Sequence, residues 1–193
     1  MLLDDDLYKV ETNHVAPRRG RVLIAEPFLR GCYFRRAVIL LATCDADGSV
    51  GFILNHSEIH SLNRMLGFPE GWYVSVGGPV CADTLYFIHT LDDLAGSSLI
   101  ADGIFWGGDV NILRMRMLKG TVTPAQVRFF LGYSGWASGQ LATEVSENSW
   151  LVSRIAPQQV MAAPKPSLWK SCVRQVGGKY ALWANFPFDP TLN

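Results

Sequence analysis

One segment of the chain combines residue types that nucleophilic catalysis requires. Residues 132–135 read Gly-Tyr-Ser-Gly, which resembles the strained turn that presents a serine nucleophile in hydrolases. That turn needs a second glycine two positions after Ser134, where Trp136 stands instead. It also needs a histidine within reach of the serine, and His89 is the candidate in a predicted strand. The segment is therefore predicted to have a structural, turn-forming role, and we assign no catalytic residue.

Metal-ligand residue types occur close together in one short stretch. His56 and His60 are four residues apart, and with Glu58 between them they could supply three zinc ligands. Because no predicted helix covers both histidines, an exposed polar loop is favoured, and we predict no metal and no organic cofactor. The four cysteines lack CxxC spacing, which indicates a reducing compartment. Cys32 and Cys44 flank predicted strands and are expected to be small buried residues.

Two glycines stand between a predicted strand and a predicted helix. Residues 106–109 read Trp-Gly-Gly-Asp, and the free N–H groups of a helix start can seat an anion. Asp109, however, would occupy that seat as the helix cap and repel a phosphate. The spacing of a P-loop and its lysine are also missing from this segment. Structural capping by Asp109 is therefore predicted.

Five residues are the candidates for a ligand pocket: Asn55, Gly78, Asp109, Tyr133 and Trp136. They are polar, aromatic or glycine residues at the predicted ends of strands, where loops carry function. The aromatic rings beside so many glycines could be the walls of a cleft with accessible backbone at its floor. In the competing interpretation the rings fill the core and the glycines permit tight turns.

Composition and charge limit the class of protein. The 193 residues fit one domain, and 49% hydrophobic residues are enough for a sizeable core. Only 18% of residues are charged, which indicates exposed apolar area, either a pocket or a face for a homo-oligomer. The acidic start is unlike a signal peptide, and the apolar runs reach only strand length, so we expect a soluble cytoplasmic protein without membrane association.

Basic residues balance acidic residues at 17 each, so no overall field attracts nucleic acid. No helix-turn-helix, zinc or basic-zipper pattern occurs, and direct nucleic-acid binding is not favoured. Two local concentrations of positive charge are interpreted as solvated edges of strands and helices: Arg18, Arg19, Arg21, Arg30, Arg35 and Arg36 near the N-terminus, and Arg114, Arg116 and Lys119 on one predicted helix.

Hydrophobic patterns predict alternating strands and short helices. The Asp-Gly pair at 47–48 suits a hairpin turn between two core strands. Because hairpins and not helical crossovers join the first strands, the sequence predicts an α+β fold: a mixed, largely antiparallel sheet that could curl toward a barrel, flanked by short helices.

Residues 1–19 are interpreted as an N-terminal extension and residues 20–193 as a single domain. Strands are predicted at 21–25, 37–43, 50–54, 73–76, 85–89, 104–106 and 150–153, and helices at 61–66, 109–118, 140–147 and 166–176, with a short helical turn from Thr123.

Four blocks of sequence together resemble one known family, the YqgE/AlgH family, over nearly the whole chain from Gly20. The tail, Ala184-Asn185-Phe186-Pro187 with Asp189-Pro190 and Leu192-Asn193, resembles the form found among Bacteroidetes members. The chain departs from the usual pattern at His56-Ser57, where members carry a basic residue and proline, and at Cys44, where many have histidine. The blocks are Gly20–Pro27 with Phe34–Leu40 and Gly51–Asn55, Gly77–Val80 with Asp83, Leu85 and His89, Trp106–Asp109, and Phe129–Trp136 with Gly139–Leu141, Glu144 and Asn148–Trp150.

The resemblance implies a mixed sheet-and-helix domain from an uncharacterised family labelled as transcriptional regulators, with no established catalytic residues. We rank three hypotheses for its function. The first is a non-enzymatic regulatory or adaptor protein that binds a small ligand or a protein partner. The second is an enzyme with a site near Asp109, Tyr133 and Ser134. The third is a regulator that binds DNA directly, for which affinity would depend steeply on salt.

Overall fold

Nine β-strands and five short helices form the part of the chain that this computed structural model describes, residues 10–56 and 71–188. The strands are β1 (Val22–Ala25), β2 (Val38–Asp45), β3 (Gly48–Ile53), β4 (Val74–Val76), β5 (Val80–His89), β6 (Ser97–Ala101), β7 (Ile104–Gly107), β8 (Val127–Ala137) and β9 (Trp150–Ser153). The helices are α1 (Val110–Leu118), α2 (Gln140–Ser146), α3 (Pro157–Met161), α4 (Leu168–Val176) and a 3-10 helix (Gly178–Asn185).

The strands form one sheet in the order β6-β7-β5-β8-β3-β2-β1-β9, with β4 beside β8. The strand pairs are antiparallel except for β4 with β8. As predicted, the Asp-Gly pair lies in the β2–β3 hairpin, where Asp45 pairs with Gly48. The 11-residue β8 pairs with β5 along its first part and with β3 at its end. This strand therefore joins the two halves of the sheet.

The sheet is curled, because its inner face brings together residues from both of its ends. Ile100 of β6 packs in the same core cluster as Leu151 of β9. Gly20, just before β1, lies so close to Ala101 that an added Cβ would be 2.5 Å from the Ala101 side chain. Trp169 of α4 is buried in this same cluster. The helices that come after β9 thus cover the inner face of the sheet.

The outer face carries two separate apolar clusters. Leu141 of α2 packs with Trp136 and Trp150 against the half built from β1, β2 and β3. Leu113 of α1 packs with Phe129 against the half built from β4, β5 and β8. Helices therefore flank both faces of a curled, largely antiparallel sheet. The predicted α+β fold is confirmed.

The segment before β1 covers the free edge of β9. The Asn13 side chain donates to the carbonyl of Val152 (2.7 Å) and accepts from its N–H (3.2 Å). The N–H of Thr12 donates to Oδ1 of Asn148 (2.8 Å). An amide side chain thus satisfies an edge that would otherwise be open to pairing with another chain.

Several local predictions need correction. Residues 132–135 lie inside β8 and do not form a turn. Gly132 adopts φ 68° opposite a register shift between β5 and β8. A glycine at this position therefore lets β8 continue past the bulge. Cys32 is exposed and Cys44 half-buried, so the expectation of burial was wrong for Cys32. The helix predicted at 61–66 lies outside the described residues.

Candidate functional site

A groove of about 920 Å³ opens beside the start of α4. Among the described residues that line it, Arg35, Arg36 and Lys170 carry a full positive charge and none is acidic. Burial lowers the pKa of His56, a fourth lining residue, which favours its neutral form. The groove is therefore a concave surface of one sign of charge. Its lining consists of Cys32, Arg35, Arg36, Asn55, His56, Val76, Pro166, Ser167, Trp169, Lys170 and Phe188.

Arg36 is the most deeply placed of these cations, with only 9% of its surface exposed. Its guanidinium lies 4.7 Å from the ring of Trp169, and its Nη2 donates to the carbonyls of Phe186 (2.8 Å) and Pro187 (2.5 Å). Burial and the charge of Arg35 lower the pKa of Arg36. Its buried Nε has no hydrogen-bond partner among the described residues. A buried donor without a partner is rare in native structures, and an ordered water, an ion or local strain is the usual explanation.

Asn55 fixes the backbone that carries Arg36. Its Oδ1 accepts from the N–H of Val38 (2.8 Å), and its Nδ2 donates to the carbonyl of Arg36 (2.9 Å). These bonds hold residue 36 at φ 52°, a left-handed conformation that arginine rarely adopts. Asn55, a predicted pocket residue, thus lines the groove and positions the arginine within it.

The start of α4 forms another wall of the groove. Trp169 anchors the helix, because its Nε1 donates to the carbonyl of Ala25 in β1 (2.8 Å). Ser167 is the N-cap residue, yet its side chain makes no capping hydrogen bond. The N–H of Leu168 donates to the carbonyl of Lys165 (2.9 Å), and the remaining first-turn N–H groups have no side-chain cap beside the groove. Across the groove, the Arg35 guanidinium lies 3.9 Å from the ring of Phe188.

Tyr133 and Trp136 line a different concavity, of about 450 Å³, near the β2–β3 hairpin. Asp45 and Asp47 also line this cleft, so its charge is opposite to that of the groove. Gly78 packs directly against the same strand, where an added Cβ would be 2.3 Å from the carbonyl of Tyr133. The structure thus brings three of the five predicted pocket residues to one end of β8.

Asp109 caps α1, as predicted. Its Oδ1 accepts from the N–H groups of Asn111 (2.8 Å) and Ile112 (3.1 Å). It lines neither the groove that contains Asn55 nor the cleft that contains Tyr133.

The Trp136 indole is committed to a structural network. Its Nε1 donates to Oε2 of Glu144 (2.8 Å), and Nε1 of Trp150 donates to the same oxygen (2.7 Å). The other oxygen, Oε1, accepts from Nε2 of Gln140 (2.8 Å). One carboxylate on α2 therefore joins β8 to β9, and both of its oxygens have partners.

Ser134 and His89 do not form a catalytic pair. Ser134 is fully buried in β8, and its Oγ donates to the carbonyl of Gly77 (3.2 Å). His89 pairs with Val127 at the opposite end of β8. Its Nε2 lies 2.8 Å from the carbonyl of Gly107, and its Nδ1 accepts from the N–H of Leu91 (3.1 Å). Both side chains are held by the backbone.

Across residues 10–56 and 71–188, no group of three His, Cys, Asp or Glu side chains is arranged to hold a metal ion. Of the residues considered for such a site, His56 is half-buried, and Glu58 and His60 lie outside the described residues. In the same part of the chain, no helix has the length and apolarity to cross a membrane.

Sequence reasoning missed most of the groove. Arg35 and Arg36 were counted only as part of a basic region, and Trp169 only as one residue of the helix predicted at 166–176. The available signal was an arginine pair directly before the buried strand β2, at the point where Asn55 leaves β3. A pair of arginines beside a core strand must find partners or a ligand.

Comparisons with known proteins agree with this fold. The sequence profile of the AlgH-like family matches residues 22–181. A UPF0301 protein from Bacteroides thetaiotaomicron is 39% identical over the whole of both chains, and one from Parabacteroides distasonis is 40% identical over 97% of this chain and 98% of its own.

Two solved structures share the fold. A Corynebacterium diphtheriae protein has a TM-score of 0.73 at 21% identity, covering 96% of this chain and all of its own. The solution structure of the AlgH protein from Pseudomonas aeruginosa has a TM-score of 0.67 at 23% identity, covering 90% of this chain and 97% of its own. At these identities the structural likeness supports the fold alone, whereas the sequence matches reach further: this chain belongs to the AlgH-like family.

Proposed function

We propose that this chain is a cytoplasmic, non-enzymatic regulatory or adaptor protein that binds a small ligand or a protein partner in the groove beside α4. The observation that carries the proposal is the unpartnered Nε of the buried Arg36 in a concave, positively charged surface. A volume of about 920 Å³ lies within the range of small-molecule sites, and a few fixed polar groups among apolar walls are typical of them.

Binding accounts for this site better than catalysis does. The two arginines that line the groove are donors held by stacking and by backbone carbonyls. The nucleophile and base that the sequence offered, Ser134 and His89, hydrogen-bond to backbone groups elsewhere in the sheet. Direct DNA binding has less support, because Arg116 of the second basic region pairs with Asp93 (2.7 Å).

The test is native mass spectrometry of the freshly purified protein, followed by a thermal-shift screen against metabolites. A ligand at 100 times its dissociation constant stabilises the fold by about 2.7 kcal/mol, which a melting curve resolves. Lys170→Glu reverses one charge at the groove, and Lys119→Glu makes the same change at the end of α1 as a matched control. Both lysines are exposed, so neither change should disturb the core.

A retained mass or thermal shift that Lys170→Glu abolishes and Lys119→Glu preserves would support the proposal. The same experiment with a cell extract tests for a protein partner. If every retained molecule binds both variants equally, the groove is not the binding site and the proposal fails.

A further inference from the structure

We infer that the groove beside α4 is an oxyanion site and that its ligand is a small phosphate monoester, seated between the first turn of α4 and the side chains of Arg36 and Lys170. This inference rests on the proposed function and specifies the chemistry of the ligand. It depends on two independent features, the uncapped start of a nine-residue helix and the unpartnered Nε of an arginine that is 9% exposed.

The helix start supplies donors that have no side-chain cap. Ser167 occupies the N-cap position with φ −67° and ψ −14°, a helical conformation in which its hydroxyl does not reach the first-turn N–H groups. Such groups carry partial positive charge from the aligned peptide dipoles. Helix starts in this state bind phosphate groups in many unrelated folds.

The start of α1 differs from the start of α4, because a side chain of the protein occupies the anion position there. There Asp109 supplies a carboxylate oxygen to two N–H groups, so the chain satisfies its own helix start. At α4 the groove holds three cationic side chains, and no acidic residue is among its described lining residues. An anion in the groove would therefore meet three cations and no carboxylate among the described lining residues.

The arginines do not use all of their donors within the protein. Arg36 uses Nη2 on two backbone carbonyls and stacks on Trp169, which leaves its Nε–H without a partner. Arg35 stacks on Phe188 and donates to the carbonyl of that residue. The two neighbouring guanidinium charges repel each other, and a dianion beside them would relieve that repulsion more than a monoanion would.

The apolar part of the lining indicates an ester and not free phosphate. Val76 and the exposed Phe188 contribute apolar surface to the groove. An organic group attached to the phosphate could bury against these side chains, and aromatic groups bury the most area per group. Phenyl phosphate is therefore the probe of choice, with phenol, phenylacetate and inorganic phosphate as comparisons.

The experiment measures binding of the four probes to the full chain by calorimetry and by backbone amide NMR at constant ionic strength. Phenyl phosphate should bind tighter than inorganic phosphate and phenylacetate, phenol should not bind, and the amides of Trp169 and Lys170 should shift most. Ser167→Asp places a carboxylate at the helix start, so it should weaken phenyl phosphate binding by about tenfold or more without lowering the melting temperature. Lys119→Glu should leave binding unchanged.

Three results would overturn the inference: equal binding of phenol and phenyl phosphate, tighter binding of phenylacetate than of phenyl phosphate, or unchanged phenyl phosphate affinity in Ser167→Asp. Because Ser167→Asp should not unfold the protein, a loss of binding cannot be assigned to misfolding. A neutral ligand retained only by an intact groove would contradict the inference and leave the proposed function standing. Phosphate binding that is sensitive to Ser167→Asp, with no groove-dependent cellular ligand or partner, would support the inference and contradict the proposed function.

Discussion

Arg36 and Glu144 are both charged side chains among tryptophans, yet their hydrogen bonding differs. Both oxygens of Glu144 accept hydrogen bonds, from Trp136, Trp150 and Gln140. The guanidinium of Arg36 donates through Nη2 and leaves Nε without a partner in the described part of the chain. Glu144 lies on a packed cluster of the outer face, whereas Arg36 lies at an open groove.

The difference distinguishes a structural site from the proposed binding site. A fully satisfied polar network rigidifies a fold and offers nothing to a ligand. An unsatisfied donor has a cost in the unbound protein, which a ligand can offset when it supplies the acceptor. Changes at Glu144 should therefore affect stability alone, and changes at the groove should affect binding first.

The largest effect on stability is expected at Glu144. Glu144→Ala leaves two indole N–H groups without their acceptor, which should lower the free energy of unfolding by about 3 kcal/mol. Urea denaturation measures the loss, and Glu147→Ala at the exposed end of α2 is the control. Phenyl phosphate affinity of the folded Glu144→Ala protein should be unchanged. A stability equal to that of Glu147→Ala would show that the network is not structural.

Asn55 should affect both stability and binding, because its side chain is hydrogen-bonded within the fold like that of Glu144 but supports the groove. Asn55→Ala removes the hydrogen bonds to Val38 and Arg36, and should lower the free energy of unfolding by about 2 kcal/mol. The backbone of Arg36 also loses its constraint, so ligand affinity in the groove should fall as well. Urea denaturation and calorimetry on the same sample test both effects. Unchanged affinity would mean that the position of Arg36 does not depend on Asn55.

Acid should lower the free energy of unfolding through His89, a buried side chain whose two ring nitrogens have hydrogen-bond partners. Burial lowers the pKa of His89 from its usual 6.5, against the smaller opposing effect of its backbone hydrogen bonds. The unfolded chain therefore binds more protons, so His89's contribution is complete above pH 6.5 and is lost as pH falls through the folded-state pKa. Urea midpoints between about pH 5 and 8 measure this slope. His89→Gln should flatten this slope, and His56→Gln should also flatten it because burial lowers the pKa of His56. Equal slopes in wild type and His89→Gln would contradict the assignment.

The smallest effect is expected at Ser167 and has the opposite sign. An aspartate at the uncapped start of α4 interacts favourably with the helix dipole, so Ser167→Asp should raise the free energy of unfolding by ~0.3–1 kcal/mol. Thermal melts in low and high salt test it, because salt screens the gain. Ser167→Ala is the matched control and should show no gain. Destabilisation by Ser167→Asp would mean that the start of α4 is already satisfied.

Local sequence signals predicted most of the elements. Runs rich in β-branched residues and leucine indicated β1, β2 and β3. The Asp-Gly pair indicated the hairpin between β2 and β3, and Asp109 indicated the start of α1. Each of these features depends on residues adjacent in sequence, whose conformational preferences act without help from the rest of the chain. The weakly apolar β6, the short α3 and the 3-10 helix were not predicted, since tertiary contacts stabilise them more than their own sequence does. The strand β8 was not predicted either, because residues 132–135 were interpreted as a turn.

The sequence by itself determined the class of fold, the family and the absence of a complete nucleophile motif at 132–136. Tertiary structure alone decided that β8 continues through Gly132, because a bulge opposite β5 accommodates its φ of 68°. It also decided that Arg36, next to β2, meets Trp169 of α4 across the inner face of the sheet. Convergence of residues from distant parts of the chain depends on how the sheet curls, and no local pattern encodes that curvature.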